Sequence, residues 1–163
     1  MKRLIILLLL IPFLLLAQEL GRYKLNDVDG NSFLFRKNLD HDANILVFWA
    51  TWCLPCKKEF PELQKLKEKY KERDIQIIAI SIDSPRSLAK VKMFTKSHTY
   101  DFVYLVDPSG DVTNKLLVKE VPHTMLVDRS GKVVYSLTGY RKGDEKQLEE
   151  AMLKLWKPSE DKE

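Results

Sequence analysis

Hydrophobic and polar positions change their period along the chain, and each period predicts a different element. The continuously apolar, β-prone run "NILVFWA" covers Asn44 to Ala50, and "DIQIIAISID" covers Asp74 to Asp83. Such runs are typical of strands that are covered on both faces of a sheet. Between them, apolar residues recur at helical spacing among lysines and glutamates: Phe60, Leu63, Leu66 and Tyr70. The pattern predicts a buried strand, an amphipathic helix and a second buried strand.

Shorter patterns flank this unit on both sides. Alternating runs from Arg22 to Phe35 surround the turn-rich stretch "NDVDGN" and predict a β-hairpin. The remaining predicted elements are a helix over Ser84–Ser97, a strand over Phe102–Val106, a short helix over Asp111–Leu117, an antiparallel hairpin over residues 123–139 and an amphipathic helix over Gly143–Trp156. One α/β domain accounts for all of them.

The first residues form a separate segment. Lys2 and Arg3 precede Leu4 to Ala17, a run of 14 residues without a charge. A membrane-spanning helix needs about 20 apolar residues and a signal-peptide core about 7–15. We therefore predict an export signal, or a short uncleaved anchor, over residues 1–17. A domain over residues 18–157 and a polar tail over 158–163 follow.

The charge balance excludes one class of partner. The formal net charge is +4, and without Lys2 and Arg3 the chain carries 25 cationic and 23 anionic residues. Because the lysines are scattered among glutamates, no basic patch for nucleic acid is predicted. Export would place the chain outside the reducing cytosol, in a compartment in which disulfides can persist.

The only two cysteines, Cys53 and Cys56, are separated by two residues, and three interpretations compete. A zinc site needs four ligands, and His41, His98 and His123 are neither close together nor arranged as a pair. A structural staple is also disfavoured, since closing so short a loop constrains the unfolded chain least. The third interpretation is redox exchange.

The position of the pair favours redox exchange. It lies where a buried strand ends and a helix begins, and there free backbone N–H groups and the helix dipole stabilise negative charge. Cys53 is placed to be the exposed thiolate, with a pKa below the free value of about 8.5. Cys56, one turn into the helix, is predicted to be less exposed and to act as the resolving thiol.

The segment "FWATWCLPCKKEFPEL" resembles the active-site segment of the thioredoxin superfamily, and more narrowly that of the exported TlpA/ResA-like thiol–disulfide oxidoreductases. The resemblance covers about residues 20–156. It implies a thioredoxin-like fold, with a central mixed β-sheet flanked by helices and an N-terminal β-hairpin.

The resemblance also implies roles for individual residues. Pro122 falls where the family carries a cis-proline beside the dithiol, and Val121 would pair its backbone with a bound substrate chain. Glu59 would lie near the dithiol and take the proton of Cys56 during exchange. Trp52 is expected to shape the surface over the first sulfur.

Glu59 and His123 each keep a second interpretation. From the residues alone, Glu59 is an exposed glutamate beside Lys57 and Lys58. His123 replaces the small residue or threonine that is commoner in the family. If it lies near the thiols, its charge would favour the thiolate and would change around pH 6.5. The alternative is a half-exposed histidine at the start of a strand.

The expected function is dithiol–disulfide exchange without a cofactor, carried by a redox-active disulfide between Cys53 and Cys56. The resemblance implies a monomeric reductase in the periplasm or on the outer face of the cytoplasmic membrane. It implies a protein disulfide as substrate, with apocytochrome c as one candidate, and a membrane thiol as electron donor. Two alternatives remain, a peroxiredoxin-like peroxidase and a redox-gated module that binds copper or a client. Against the peroxidase, the sequence has no proline at the expected distance upstream of Thr51.

Overall fold

The computed structural model describes residues 20–157, so the predicted export segment over 1–17 and the tail over 158–163 lie outside the described residues. The strands are β1 (Lys24–Asp27), β2 (Ser32–Leu34), β3 (Ala43–Trp49), β4 (Ile75–Ser81), β5 (Val103–Val106), β6 (His123–Val127) and β7 (Val133–Thr138). The α-helices are α1 (Leu54–Lys69), α2 (Leu88–Ser97), α3 (Asp111–Lys115) and α4 (Glu145–Leu155). Short 3-10 helices cover Leu20–Arg22, Phe35–Lys37 and Pro85–Ser87.

The strands form one mixed sheet in the order β2-β1-β5-β4-β3-β6-β7. The central strands β3, β4 and β5 are parallel, whereas β1 and β2 on one side and β6 and β7 on the other pair antiparallel. The predicted mixed sheet and both hairpins are confirmed. The first hairpin turns where Asp27 accepts hydrogen bonds from the backbone N–H groups of Asp29 and Asn31, each at 2.8 Å.

Strand β3 is buried along its whole length because both of its faces are covered. Ile45, Val47 and Trp49 point into a core that also holds residues of α1, α2 and α4. Leu46 and Phe48 point into the opposite core, beneath α3 and the first two 3-10 helices. The alternation of a strand thus explains why the run from residue 44 to 50 has no polar face.

Helix boundaries differ from the predictions by a few residues. The helix predicted from Ser84 begins as a 3-10 turn, and α2 starts only at Leu88. The last helix starts at Glu145 rather than at Gly143, because Gly143 has a φ of +109°, which a right-handed helix cannot accommodate. These differences leave the order and type of the elements unchanged.

Both ends of the described chain are fixed near the start of β3. The N–H of Leu20 donates to the carbonyl of Gly131 in the β6–β7 turn, at 3.4 Å. The indole N–H of Trp156 donates to the carbonyl of Asp42, at 3.2 Å. Within residues 20–157, no helix has both the length and the hydrophobicity needed to cross a bilayer.

Candidate active site

The two cysteines lie where β3 gives way to α1. Because β3 ends at Trp49 and α1 begins at Leu54, Cys53 occupies the N-cap position of the helix. Its sulfur accepts the backbone N–H of Cys56, with a distance of 3.2 Å from N to Sγ. The first N–H groups of a helix have no partner within the helix, and its dipole favours negative charge at this end. The start of α1 is therefore a suitable environment for a thiolate on Cys53.

Cys53 and Cys56 form a disulfide with an S–S distance of 2.00 Å. Cys53 is 4% exposed and Cys56 is 0% exposed, and both lie in the core cluster that contains Trp49 and Phe60. The predicted order of exposure is confirmed, but the expectation that Cys53 is exposed is wrong for this oxidised form. The physical reason is that Cys53 packs in the same core cluster as Trp49, Cys56 and Phe60, which covers its side chain.

A buried carboxylate fixes the loop that precedes the disulfide. Asp83, which is 2% exposed, accepts the backbone N–H of Thr51 at 2.8 Å and its hydroxyl at 2.6 Å. It also accepts the hydroxyl of Ser81 at 2.9 Å. The two bonds from Thr51 tie the loop between β3 and α1 to the end of β4, where the bond from Ser81 holds the carboxylate. Asp83 is therefore positioned to hold the backbone that carries the first cysteine.

The two tryptophans before the disulfide have different environments. Trp49 is fully buried and packs against the rings of Phe60 and Phe94, with ring centroids 5.2 Å and 4.7 Å away. Trp52 is 69% exposed and directly precedes Cys53. Trp49 therefore belongs to the core, whereas Trp52 forms part of the surface beside the disulfide.

The loop before β6 brings Pro122 to the same end of the sheet. The bond between Val121 and Pro122 is cis, as the resemblance implies. His123 follows at once and pairs with Phe48 of β3, so the proline lies one strand away from the loop that carries the cysteines. Within residues 20–157 the backbone of Val121 has no hydrogen-bond partner, whereas the Pro122 carbonyl accepts the N–H of Gly139 at 2.7 Å. The backbone of Val121 is therefore available for an added chain.

Glu59 is buried in α1, one helical turn after Cys56, and only 4% of it is exposed. The interpretation as an exposed glutamate is therefore wrong. The hydroxyl of Thr124 donates to Oε1 at 2.6 Å, and Oε2 has no partner among the described residues. Burial raises the pKa of Glu59 to about 7, against the lowering effect of the Thr124 hydrogen bond, and Asp144 raises it further. A carboxyl group with this pKa can both accept and release a proton near neutral pH.

A small cavity borders the side chain of Glu59. Its volume is about 10 Å³, which is room for about one water molecule. Tyr135 and Tyr140 line the same cavity, and the hydroxyl of Tyr135 also lacks a partner among the described residues. The cavity thus brings two unpaired polar groups together on the side of α1 that faces β7 and α4.

His123, the first residue of β6, contacts residues of both neighbouring strands. A ring nitrogen, Nδ1, lies 2.7 Å from the hydroxyl of Thr138, and the ring meets Phe48 edge-on at a centroid distance of 6.4 Å. Burial lowers the pKa of His123, so its neutral form is favoured at neutral pH. These contacts agree with a partly buried histidine at the start of a strand.

No group of three or more histidine, cysteine, aspartate or glutamate side chains within residues 20–157 is arranged to hold a metal ion.

Comparison with known proteins identifies the family. The model of the AhpC/TSA family matches residues 16–136. The chain belongs to the AhpC/TSA family. The thiol-disulfide oxidoreductase ResA of Bacillus thuringiensis subsp. konkukian (strain 97-27) is 31% identical over 140 residues, which are 86% of this chain and 78% of the relative. ResA of Bacillus subtilis (strain 168) is 35% identical over 123 residues, 76% of this chain and 67% of the relative.

A solved structure agrees with these relatives. The crystal structure of a Chlorobium tepidum protein, assigned as thiol:disulfide interchange protein DsbE, matches with a TM-score of 0.73 and 28% identity over 82% of this chain and 92% of that chain. The predicted thioredoxin-like fold is confirmed. This member of the AhpC/TSA family is a thiol-disulfide oxidoreductase of the ResA/DsbE type.

Two polar residues that fix this site in the AhpC/TSA chain, Asp83 and Thr124, are not predicted as site residues from the sequence. The hydrophobic pattern predicts only that Asp83 ends a strand and that Thr124 belongs to a hairpin, although their hydrogen bonds hold Thr51 and Glu59. A signal for the burial of Glu59 was present, because it precedes Leu63 by four residues and so lies on the apolar face of the predicted helix. No signal in the sequence pointed to Asp83 as a partner of Thr51, which is 32 residues away.

Proposed function

We propose that this chain is an exported reductase of protein disulfides, in which Cys53 attacks the substrate and Cys56 completes the exchange. The observation that carries the proposal is the N-cap position of Cys53, whose sulfur receives a backbone N–H at 3.2 Å. The same donor and the helix dipole would favour the thiolate over the thiol in the reduced form.

The reaction has two steps. In the first, the Cys53 thiolate attacks one sulfur of the substrate disulfide, which forms a mixed disulfide and releases the other substrate sulfur as a thiolate. In the second, the Cys56 thiolate attacks the sulfur of Cys53. The bond to the substrate breaks, the second substrate thiolate leaves, and the disulfide between Cys53 and Cys56 forms. Two electrons pass from the dithiol of the enzyme to the substrate, and no cofactor takes part.

Glu59 accepts the proton of Cys56 before the second step. Its position three residues after Cys56 on the same helix supports this role, and its pKa of about 7 suits proton transfer at neutral pH. Val121 and Pro122 recognise the substrate through the backbone of Val121, and Trp52 contacts the substrate beside the attacked disulfide. Recognition through main-chain groups tolerates many substrate sequences.

The setting of the reaction is part of the proposal. The chain acts as a monomer in the periplasm or on the outer face of the cytoplasmic membrane, and a membrane thiol donor reduces the pair again. Apocytochrome c is a candidate substrate. Support comes from the signal-like residues 1–17 and from the similarity to ResA and DsbE.

The test is to trap the mixed disulfide. Reduced Cys56→Ser protein, mixed with a disulfide-containing protein, is expected to accumulate a covalent complex through Cys53. The Cys53→Ser variant should form none, and the wild-type protein should release reduced substrate. Absence of the complex in the Cys56→Ser variant would contradict the assigned order of attack. A reduction potential near about −270 mV would support a reductase, whereas one near about −120 mV would indicate an oxidant.

The same variants separate the two alternatives. Turnover of a hydroperoxide that exceeds disulfide turnover would favour the peroxidase. Copper binding that is lost in both cysteine variants, without disulfide turnover in the wild-type protein, would favour the metal- or client-binding module.

A further inference from the structure

A groove opens beside the disulfide, between the start of α1 and α2, with a volume of about 470 Å³. Trp52 lines one side of this groove, and Met93 and Phe94 of α2 line the other. Because Trp52 directly precedes Cys53, the groove begins next to the attacking residue. A volume of this size lies within the range of about 300–1,000 Å³ found for binding pockets.

The walls of the groove expose large apolar side chains. Trp52 is 69% exposed and Met93 is 67% exposed, while Phe94 between them is partly buried. Single exposed apolar residues are normal on a protein surface. Here two of them border one concavity next to a reactive site, an arrangement that marks a surface for binding another molecule.

The charged residues of the groove are all positive. Lys57 and Lys90 line it, and no acidic residue does. The segment from 84 to 98, which supplies Lys90 to the groove, contains no aspartate or glutamate. Lys57 lies 5.9 Å from the centre of the Phe94 ring, and within residues 20–157 neither Lys57 nor Lys90 forms an ion pair. These lysines remain available to an acidic partner.

We propose that this groove binds the polypeptide segment of the substrate that flanks the attacked cysteine, and that it selects segments with acidic residues around a large apolar side chain. The inference rests on the proposed function, since it assigns a substrate class to the same site. Complementary charge would come from Lys57 and Lys90, and the apolar side chain would contact Trp52 and Met93. Contacts to the backbone of Val121 tolerate many sequences, so this groove would supply the sequence preference.

The experiment uses three peptides that contain the same disulfide and differ only in the flanking triplet: Glu-Leu-Glu, Gln-Leu-Gln or Lys-Leu-Lys. The kcat/KM for their reduction by the reduced full-length chain is measured at low and high salt. We expect the acidic peptide to exceed the basic one by about tenfold at low salt, as a few exposed ion pairs can provide. The difference should reside in KM and should shrink at high salt.

Two matched variants locate the preference. Lys90→Glu is expected to abolish or reverse the ratio between the acidic and basic peptides. Lys154→Glu makes the same change in net charge on α4, outside the groove, and should keep the ratio. Met93→Ser should weaken binding of a Glu-Leu-Glu peptide more than that of a Glu-Ser-Glu peptide, because only the first offers an apolar side chain.

Equal kcat/KM values for the three peptides would overturn the groove proposal, as would an equal effect of Lys90→Glu and Lys154→Glu. In either case the peptides are still reduced, so the proposed function stands. Failure to reduce any of the peptides would overturn the proposed function together with the groove.

Discussion

Replacing Glu59 by glutamine tests whether a buried carboxyl group titrates near neutral pH. Glutamine retains the shape and can still accept the hydrogen bond of Thr124, but it cannot ionise. Burial raises the pKa of Glu59 from the ordinary value of 4.5 to about 7. This difference corresponds to a free energy of about 3 kcal/mol that opposes folding when the carboxylate is charged.

The sign follows from proton binding. Between pH 4.5 and about 7 the folded protein binds more protons at Glu59 than the unfolded chain does. The free energy of unfolding of the wild-type protein therefore falls as the pH rises through this window. Below pH 4.5 both states are protonated and the cost is absent, whereas above pH 7 it is fully present. Relative to wild type, Glu59→Gln should gain about 3 kcal/mol on going from pH 4 to pH 8.

The assay is denaturant unfolding at several pH values. The oxidised protein is used because its cysteines form a disulfide and no thiol titrates. A constant offset between variant and wild type is expected from the buried amide group, and only the change of the offset with pH is diagnostic. Glu150→Gln, on an exposed position of α4, is the control and should give a flat difference. A flat difference for Glu59→Gln as well would refute the account of a titrating buried carboxyl group.

Three further substitutions test contacts of the site and core. Thr124→Val removes the hydrogen bond that favours the ionised carboxylate, so the pKa of Glu59 should rise above about 7, as measured by NMR titration. Asp83→Ala leaves the donors of Thr51, in the loop before the cysteines, and of Ser81, at the end of β4, without their acceptor, so the protein should lose about 2–3 kcal/mol in denaturant unfolding. Met152→Ala empties a fully buried position of α4 and should cost about 2–5 kcal/mol, whereas Leu153→Ala, at a residue 42% exposed, should cost less than about 1 kcal/mol.

Each of these substitutions has an outcome that contradicts its premise. A lower pKa of Glu59 in Thr124→Val would mean that the hydroxyl does not donate to the carboxylate. Unchanged stability of Asp83→Ala would show that its hydrogen bonds are readily replaced by water. Equal losses for Met152→Ala and Leu153→Ala would mean that α4 does not pack as described.

The strands and helices could be predicted because burial on one or both faces leaves a period in the sequence. The run from Asn44 to Ala50 has no polar face, and β3 is covered on both sides by separate cores. Likewise, the spacing of Phe60, Leu63 and Leu66 reproduces the buried face of α1. Exact boundaries could not be predicted because backbone conformations at turns, such as the positive φ of Gly143, depend on local geometry that the hydrophobic pattern does not record.

The site could be predicted only in part. The hydrophobic pattern predicts a strand before Cys53 and a helix after it. It therefore places both cysteines at the start of a helix, as the structure does. The burial of Glu59 depends on Thr124, β7 and α4, which are distant in sequence. The hydrogen bonds from Thr51 to Asp83 likewise connect the ends of two different strands. Contacts of this range are set by the packing of the sheet. A single sequence contains no local signal for them.

The anchoring of Leu20 on Gly131 and of Trp156 on Asp42 has a practical consequence. Both anchor points lie near the start of β3, whereas Cys53 lies in the loop beyond Trp49, at which β3 ends. A tag or surface linker attached directly to residue 20 or residue 157 therefore joins the domain at the end of β3 that is remote from the sulfur atoms. Immobilising residues 20–157 through either of these positions should leave the disulfide facing the medium.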